Sequence, residues 1–143
     1  MRSCDALETA SHRRKTADKI IADLALAERW GQFGRPVFVG AYAYDLMIAP
    51  DIDMEVYCPR LAIQDGFRVL GDCAPLPGVI GCSFANRLAT PDKALYWRID
   101  YLDGEGVEWK IDMWSAPEDY ELPRAENLRS EEHTSELQSP NTI

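Results

Sequence analysis

The sequence predicts an α+β domain built on a mixed β-sheet with flanking helices, and three observations carry that expectation. Apolar residues recur at helical spacing near the N-terminus, alternate with period two around residues 51–56, and return to helical spacing after residue 62. Strand-like segments then follow one another to residue 114, the last two joined by Asp103-Gly104-Glu105-Gly106 in the manner of a hairpin. Helices and strands interleaved in this order give an α and β domain with a mixed sheet.

Each element has its own signal. Between Ser11 and Trp30, Ala17, Ile20, Ile21, Leu24 and Ala27 fall on one helical face, with Arg13, Arg14, Lys15, Asp18, Lys19 and Asp23 largely elsewhere. Gly31, Gly34 and Arg35-Pro36 end that helix, and Val37-Phe38-Val39 reads as a short buried strand closed by Gly40. Ala41 to Ile48 suits a short helix, stopped at Ala49-Pro50. Asp51-Ile52-Asp53-Met54-Glu55-Val56 alternates strictly, which marks a half-buried strand. A helix from Ala62 to Ala74 places Ile63, Phe67, Leu70 and Ala74 on one face despite Gly66 and Gly71, and Pro75 and Pro77 close it. Val79 to Leu88 is a weaker strand, followed by Leu95 to Leu102 and Val107 to Trp114.

The 143 residues allow one compact domain. With 46% hydrophobic and 27% charged residues, no apolar run of membrane-spanning length and a polar N-terminus, the expectation is a cytoplasmic protein without a membrane segment. A net charge of -9 argues against an extended nucleic-acid surface. Cys4, Cys58, Cys73 and Cys82 lack metal-site spacing and read as reduced thiols. The domain is assigned to residues 1–128. From Arg129 the string R-S-E-E-H-T-S-E-L-Q-S lacks apolar periodicity and resembles a sequencing-library adapter translated in frame, so 129–143 is expected to be a disordered, artefactual tail on a domain cut short at its C-terminus.

The chemistry centres on Asp51 and Asp53. Two apart on a strand, they leave the same face while Ile52, Met54 and Val56 turn to the core, and Glu55 shares the acidic face. Paired carboxylates suit Mg2+, which takes oxygen ligands and is commonly completed by substrate phosphates. Upstream, Val39-Gly40-Ala41 is a strand-to-helix turn where a glycine admits backbone N–H groups to a phosphate. Downstream, Trp109-Lys110-Ile111-Asp112-Met113-Trp114 places a third carboxylate in an alternating strand, with Lys110 on its face. Trp97, Trp109, Trp114 and Tyr101 read as core, and His12 as a solvated side chain without a partner.

Gly40-Ala41, Asp51-Ile52-Asp53 and Asp112 together resemble the DNA polymerase beta-like nucleotidyltransferase superfamily, over about Val37 to Trp114. The resemblance implies that Asp51, Asp53 and Asp112 are catalytic and hold Mg2+ or Mn2+, while Gly40, Ala41 and Lys110 contact the nucleotide. It further implies transfer of a nucleoside monophosphate from an NTP to a hydroxyl acceptor, small or macromolecular, with loss of pyrophosphate. Two departures stand out: Ala41 where the family favours Ser or Gly, and Asp45, a carboxylate near the expected phosphate. They keep a second reading in view, a degenerate fold binding nucleotide or protein without transfer. A D-x-D glycosyltransferase is a third, although such domains are generally larger and need neither the turn nor Asp112.

Overall fold

Strands with one apolar and one polar face bury the first under helices and leave the second to other uses. The computed structural model describes residues 3–43 and 49–122, residues 3–5 by their backbone alone. The elements are α1 (Ser3–Asp23), α2 (Leu26–Gly31), β1 (Arg35–Val39), β2 (Asp51–Cys58), α3 (Ile63–Cys73), β3 (Val79–Arg87), β4 (Ala94–Leu102) and β5 (Glu108–Pro117). The strands form one sheet in the order β1-β2-β5-β4-β3. Only β2 and β5 run parallel; the other neighbours are antiparallel. The fold is therefore α+β with a mixed five-stranded sheet and flanking helices, as the segment order implies.

The expected single helix over residues 11–30 is two. Ala25 adopts φ 50, a left-handed conformation costly for a residue with a Cβ, and α2 departs in a new direction. Burial offsets that cost, because the break places Leu26 and Trp30 in the core beside Leu24. Arg29 Nε donates to the carbonyl of Leu24, just past the end of the first helix, at 2.9 Å. Residues 41–43 form a turn, while the rest of the short helix expected over Ala41 to Ile48, Asp45 included, lies outside the described residues.

Ala17, Ile20, Trp30, Val69 and Leu70 from the helices meet Ile52, Met54, Val56, Trp97, Ile99 and Ile111 from the sheet in one core. In α3, a Cβ added at Gly66 would lie 2.1 Å from the ring of Trp97, so this helical glycine lets the indole reach the backbone. The indole N–H of Trp97 donates to Ser115 Oγ at 3.0 Å, which satisfies a buried donor.

The opposite sheet face is divided. At one end Tyr57, Ala94, Ala116 and Leu122 form a second small apolar cluster with Val37, Trp114 and Tyr120 against it. The chain after β5 folds over this end: Glu118 N–H donates to the carbonyl of Cys58 at 2.9 Å, and Tyr120 Oη to that of Asp92 at 3.2 Å. The other end of the face carries Asp53, Asp112 and Arg98. Residues 129–143 lie outside the described part of the chain. Among the described residues no helix is long and apolar enough to cross a membrane.

Candidate functional site

Strand pairing assembles the polar end of this face. In the parallel pair Asp53 stands directly beside Asp112, and Asp51 beside Lys110. In the antiparallel pair on the other side of β5, Asp112 faces Arg98 and Lys110 faces Asp100. Directly paired residues point to the same side of a sheet, with neighbouring strands about 4.8 Å apart. Asp53 and Asp112 are thus adjacent on one face, and Asp51 lies one pleat further along β2. All three aspartates are half-buried, and Lys110 is exposed. Ile52, Met54 and Val56 are fully buried on the other face.

The Gly40 turn abuts this pair. Val39 is paired with Asp53, so the chain leaves β1 at the carboxylate. Gly40 has φ 74, and a Cβ there would sit 2.9 Å from Asp53 Oδ2. Both the conformation and the close approach require glycine. Helix α1 fastens the far side of the turn: the Arg14 guanidinium lies 4.0 Å from the centre of the Tyr42 ring and donates to the Tyr42 carbonyl at 3.0 Å. Tyr42 Oη in turn donates to Asp18 Oδ1 at 2.6 Å. Ala41, half-buried, sits between these anchors.

On the far side of Asp112 the sheet opens into a cavity of about 410 Å³, lined by Arg87, Asp92, Tyr96, Asp112 and Trp114. The Tyr96 hydroxyl donates to Asp112 Oδ1. Burial and that hydrogen bond push the Tyr96 phenol up to about 12, so it stays protonated and a donor. Tyr96 and Trp114 present tilted rings 4.9 Å apart, and Arg87 pairs with Asp92 at 2.9 Å. Arg98 donates to Asp100 Oδ1 at 2.9 Å, keeping a guanidinium beside the carboxylates.

Asp51, Asp53, Asp112, Gly40 and Lys110 therefore share one face or its edge, but not one point. Among the described residues, no three His, Cys, Asp or Glu side chains converge to hold a metal ion. The resemblance implies two metals shared among Asp51, Asp53 and Asp112; the strand register sets Asp53 beside Asp112 and Asp51 one pleat away, with Tyr96 engaging Asp112. A two-carboxylate site at Asp53 and Asp112 still suits Mg2+, whose remaining positions are ordinarily filled by water and phosphate oxygens.

Tyr96, Arg98, Arg87 and Asp92 were not singled out in the sequence. The spacing Tyr96-x-Arg98-x-Asp100, alternating with core Trp97 and Ile99, was the signal that could have placed three polar side chains on the aspartate face. Of the aromatics expected in the core, Trp97, Trp109 and Tyr101 are buried there, whereas Trp114 lies on the opposite face, packed against the second apolar cluster. Glu55 is fully buried and accepts from Tyr57 Oη at 2.8 Å. His12 is not partnerless: its Nε2 lies 2.8 Å from Glu105 Oε1, joining α1 to the hairpin loop. Compared with protein-family models and with curated proteins, the chain matches none.

Proposed function

We propose that the chain is a Mg2+- or Mn2+-dependent nucleotidyltransferase that moves a nucleoside monophosphate from an NTP to a hydroxyl acceptor. The observation that carries this reading is the juxtaposition, on one open sheet face, of the Asp53–Asp112 pair with the Gly40 turn. The turn offers backbone N–H groups to the phosphates, with Lys110 adding positive charge along the same face. Asp53 and Asp112 would hold the metal, Asp51 standing one pleat away; when bound, it neutralises phosphate charge and lowers the pKa of the attacking hydroxyl. Tyr96 orients the Asp112 carboxylate. The cavity beyond Asp112 gives the acceptor a place on the side away from the turn. Catalysis then rests mainly on positioning and charge compensation.

A second reading, a nucleotide-binding fold without transfer activity, draws support from the Tyr96 hydroxyl already engaging Asp112 and from the absence of three converging carboxylates among the described residues. Asp53→Asn tests both. In the wild type, Mg2+ or Mn2+ with an NTP should raise the melting temperature; in the variant, that rise should shrink. Pyrophosphate release across a panel of hydroxyl acceptors should fall by on the order of 100-fold, the scale of losing one electrostatic stabiliser. Equal responses in the two proteins would remove this site as the phosphate-handling centre. Nucleotide binding without pyrophosphate release would favour the second reading.

A further inference from the structure

Five large hydrophobic side chains stand exposed among the described residues, and four of them lie on β3 or on segments next to it. Ile80 lies on β3, Leu88 follows it, and Leu102 ends the neighbouring β4. Phe67, half exposed on α3, packs its ring 4.9 Å from that of Phe84 on β3. The fifth, Leu7, is on α1. Among the described residues β3 is an edge strand, paired with β4 on one side only.

Unpaired edges are usually kept short, charged or broken by proline, because their free N–H and C=O groups recruit other strands. The opposite edge, β1, follows that practice with five residues that include Arg35 and Pro36. β3 does not. It has nine residues and a single charge, Arg87 at its last position, in a chain that is 27% charged. A bulge between Val79 and Gly81 interrupts its start and leaves Gly81–Arg87 as a regular run.

That run is self-complementary. Its central residue is Phe84, and antiparallel pairing with a second copy about a two-fold axis at Phe84 engages every residue of the run. Moving the axis towards the start of β3 draws in the bulge, and moving it towards the end loses pairs. At this register Phe84 meets its own copy, with Phe67 beside it on the same face. Arg87 comes opposite Gly81 of the second copy, which has no side chain to block it. Asp100 Oδ2 lies against Gly81, 3.2 Å from where a Cβ would be, so each end of the run brings a guanidinium towards a carboxylate. Arg87 is available for this, since its ion pair with Asp92 is partly solvent-exposed and weakly held.

We propose that the chain forms a two-fold symmetric dimer by antiparallel pairing of Gly81–Arg87, with Phe84 on the axis. Interfaces of this kind are isologous, so one patch suffices for both partners. Sedimentation or light scattering of the full chain over a concentration series should show a monomer–dimer equilibrium. Phe67→Glu, at a half-exposed position whose ring also touches Trp97, should weaken the dimer at least about tenfold while the far-UV circular dichroism spectrum stays that of the folded wild type. Leu7→Glu, at a more exposed position on α1, should leave it unchanged. The register has its own check, because Asn86 falls opposite Cys82 of the second copy, at about 5 Å between Cβ atoms. Asn86→Cys under mild oxidation should yield a covalent dimer, while the wild type and Asn86→Ser should not. A wild type that stays monomeric, a dimer indifferent to Phe67→Glu, or a dimer that Asn86→Cys fails to cross-link would each overturn the proposal.

Discussion

Replacing Gly40 by alanine probes the turn and the carboxylate together. Gly40 sits at φ 74, where a residue with a Cβ is penalised by about 1–2 kcal/mol. Alanine also restricts the unfolded chain, which returns roughly 0.4–1 kcal/mol. The new methyl would lie 2.9 Å from Asp53 Oδ2, closer than real Cβ contacts come, so the carboxylate must swing aside. The net expectation is a loss on the order of 1 kcal/mol, equivalent to about 4 °C in melting temperature for a domain of this size. Gly71→Ala is the matched control: it lies in α3 with nothing within 4 Å of its would-be Cβ, and should gain about 0.5–1 kcal/mol from helix propensity. Urea unfolding of the three proteins gives the stabilities, and thermal shift with Mg2+ and an NTP reads the displaced carboxylate. Gly40→Ala should lose stability and also lose part of the ligand-induced rise. A neutral or stabilising Gly40→Ala would refute the strain reasoning. An unchanged ligand response would refute the coupling of the turn to Asp53.

Two further outcomes follow from the core. Gly66→Ala should destabilise the protein in urea unfolding by about 1–3 kcal/mol despite the better helix propensity of alanine, because the added methyl would stand 2.1 Å from the Trp97 ring; a gain in stability would contradict that packing. Burial pushes the Cys58 and Cys73 thiols up to about 11, so at mildly alkaline pH a thiol reagent should label exposed Cys82 and spare both until urea is added, as peptide mapping would show. The linked pH effect has a definite sign. The folded state holds these protons more tightly than the unfolded state, so their contribution is complete below pH 9.0 and is lost as pH rises through about 11.

Local pattern was enough for the strands, for α3 and for the direction of side chains within each strand. The pleat alternates obligatorily, so Asp51 and Asp53 had to leave the face opposite Ile52, Met54 and Val56, and the period-two run announced it. The same logic made the β4–β5 hairpin legible. There Asp103 Oδ1 accepts from the N–H groups of Glu105 and Val107, the turn chemistry an Asp-Gly segment suggests. Alternation, however, says nothing about which strand lies next door or in what register. Asp53 meets Asp112 because β5 inserts between β2 and β4, a long-range pairing set by how the helices cover the apolar face. Arg87, Asp92 and Tyr96 belong to separate stretches, and only the antiparallel return of β3 and β4 brings them to one cavity beside Asp112. The break at Ala25 is of the same kind. No local propensity favours a left-handed alanine, and burial of Leu26 and Trp30 against the sheet outweighs its cost. Periodicity is a property of neighbours along the chain, whereas register, helix breaks and cavities follow from the free energy of packing the whole core.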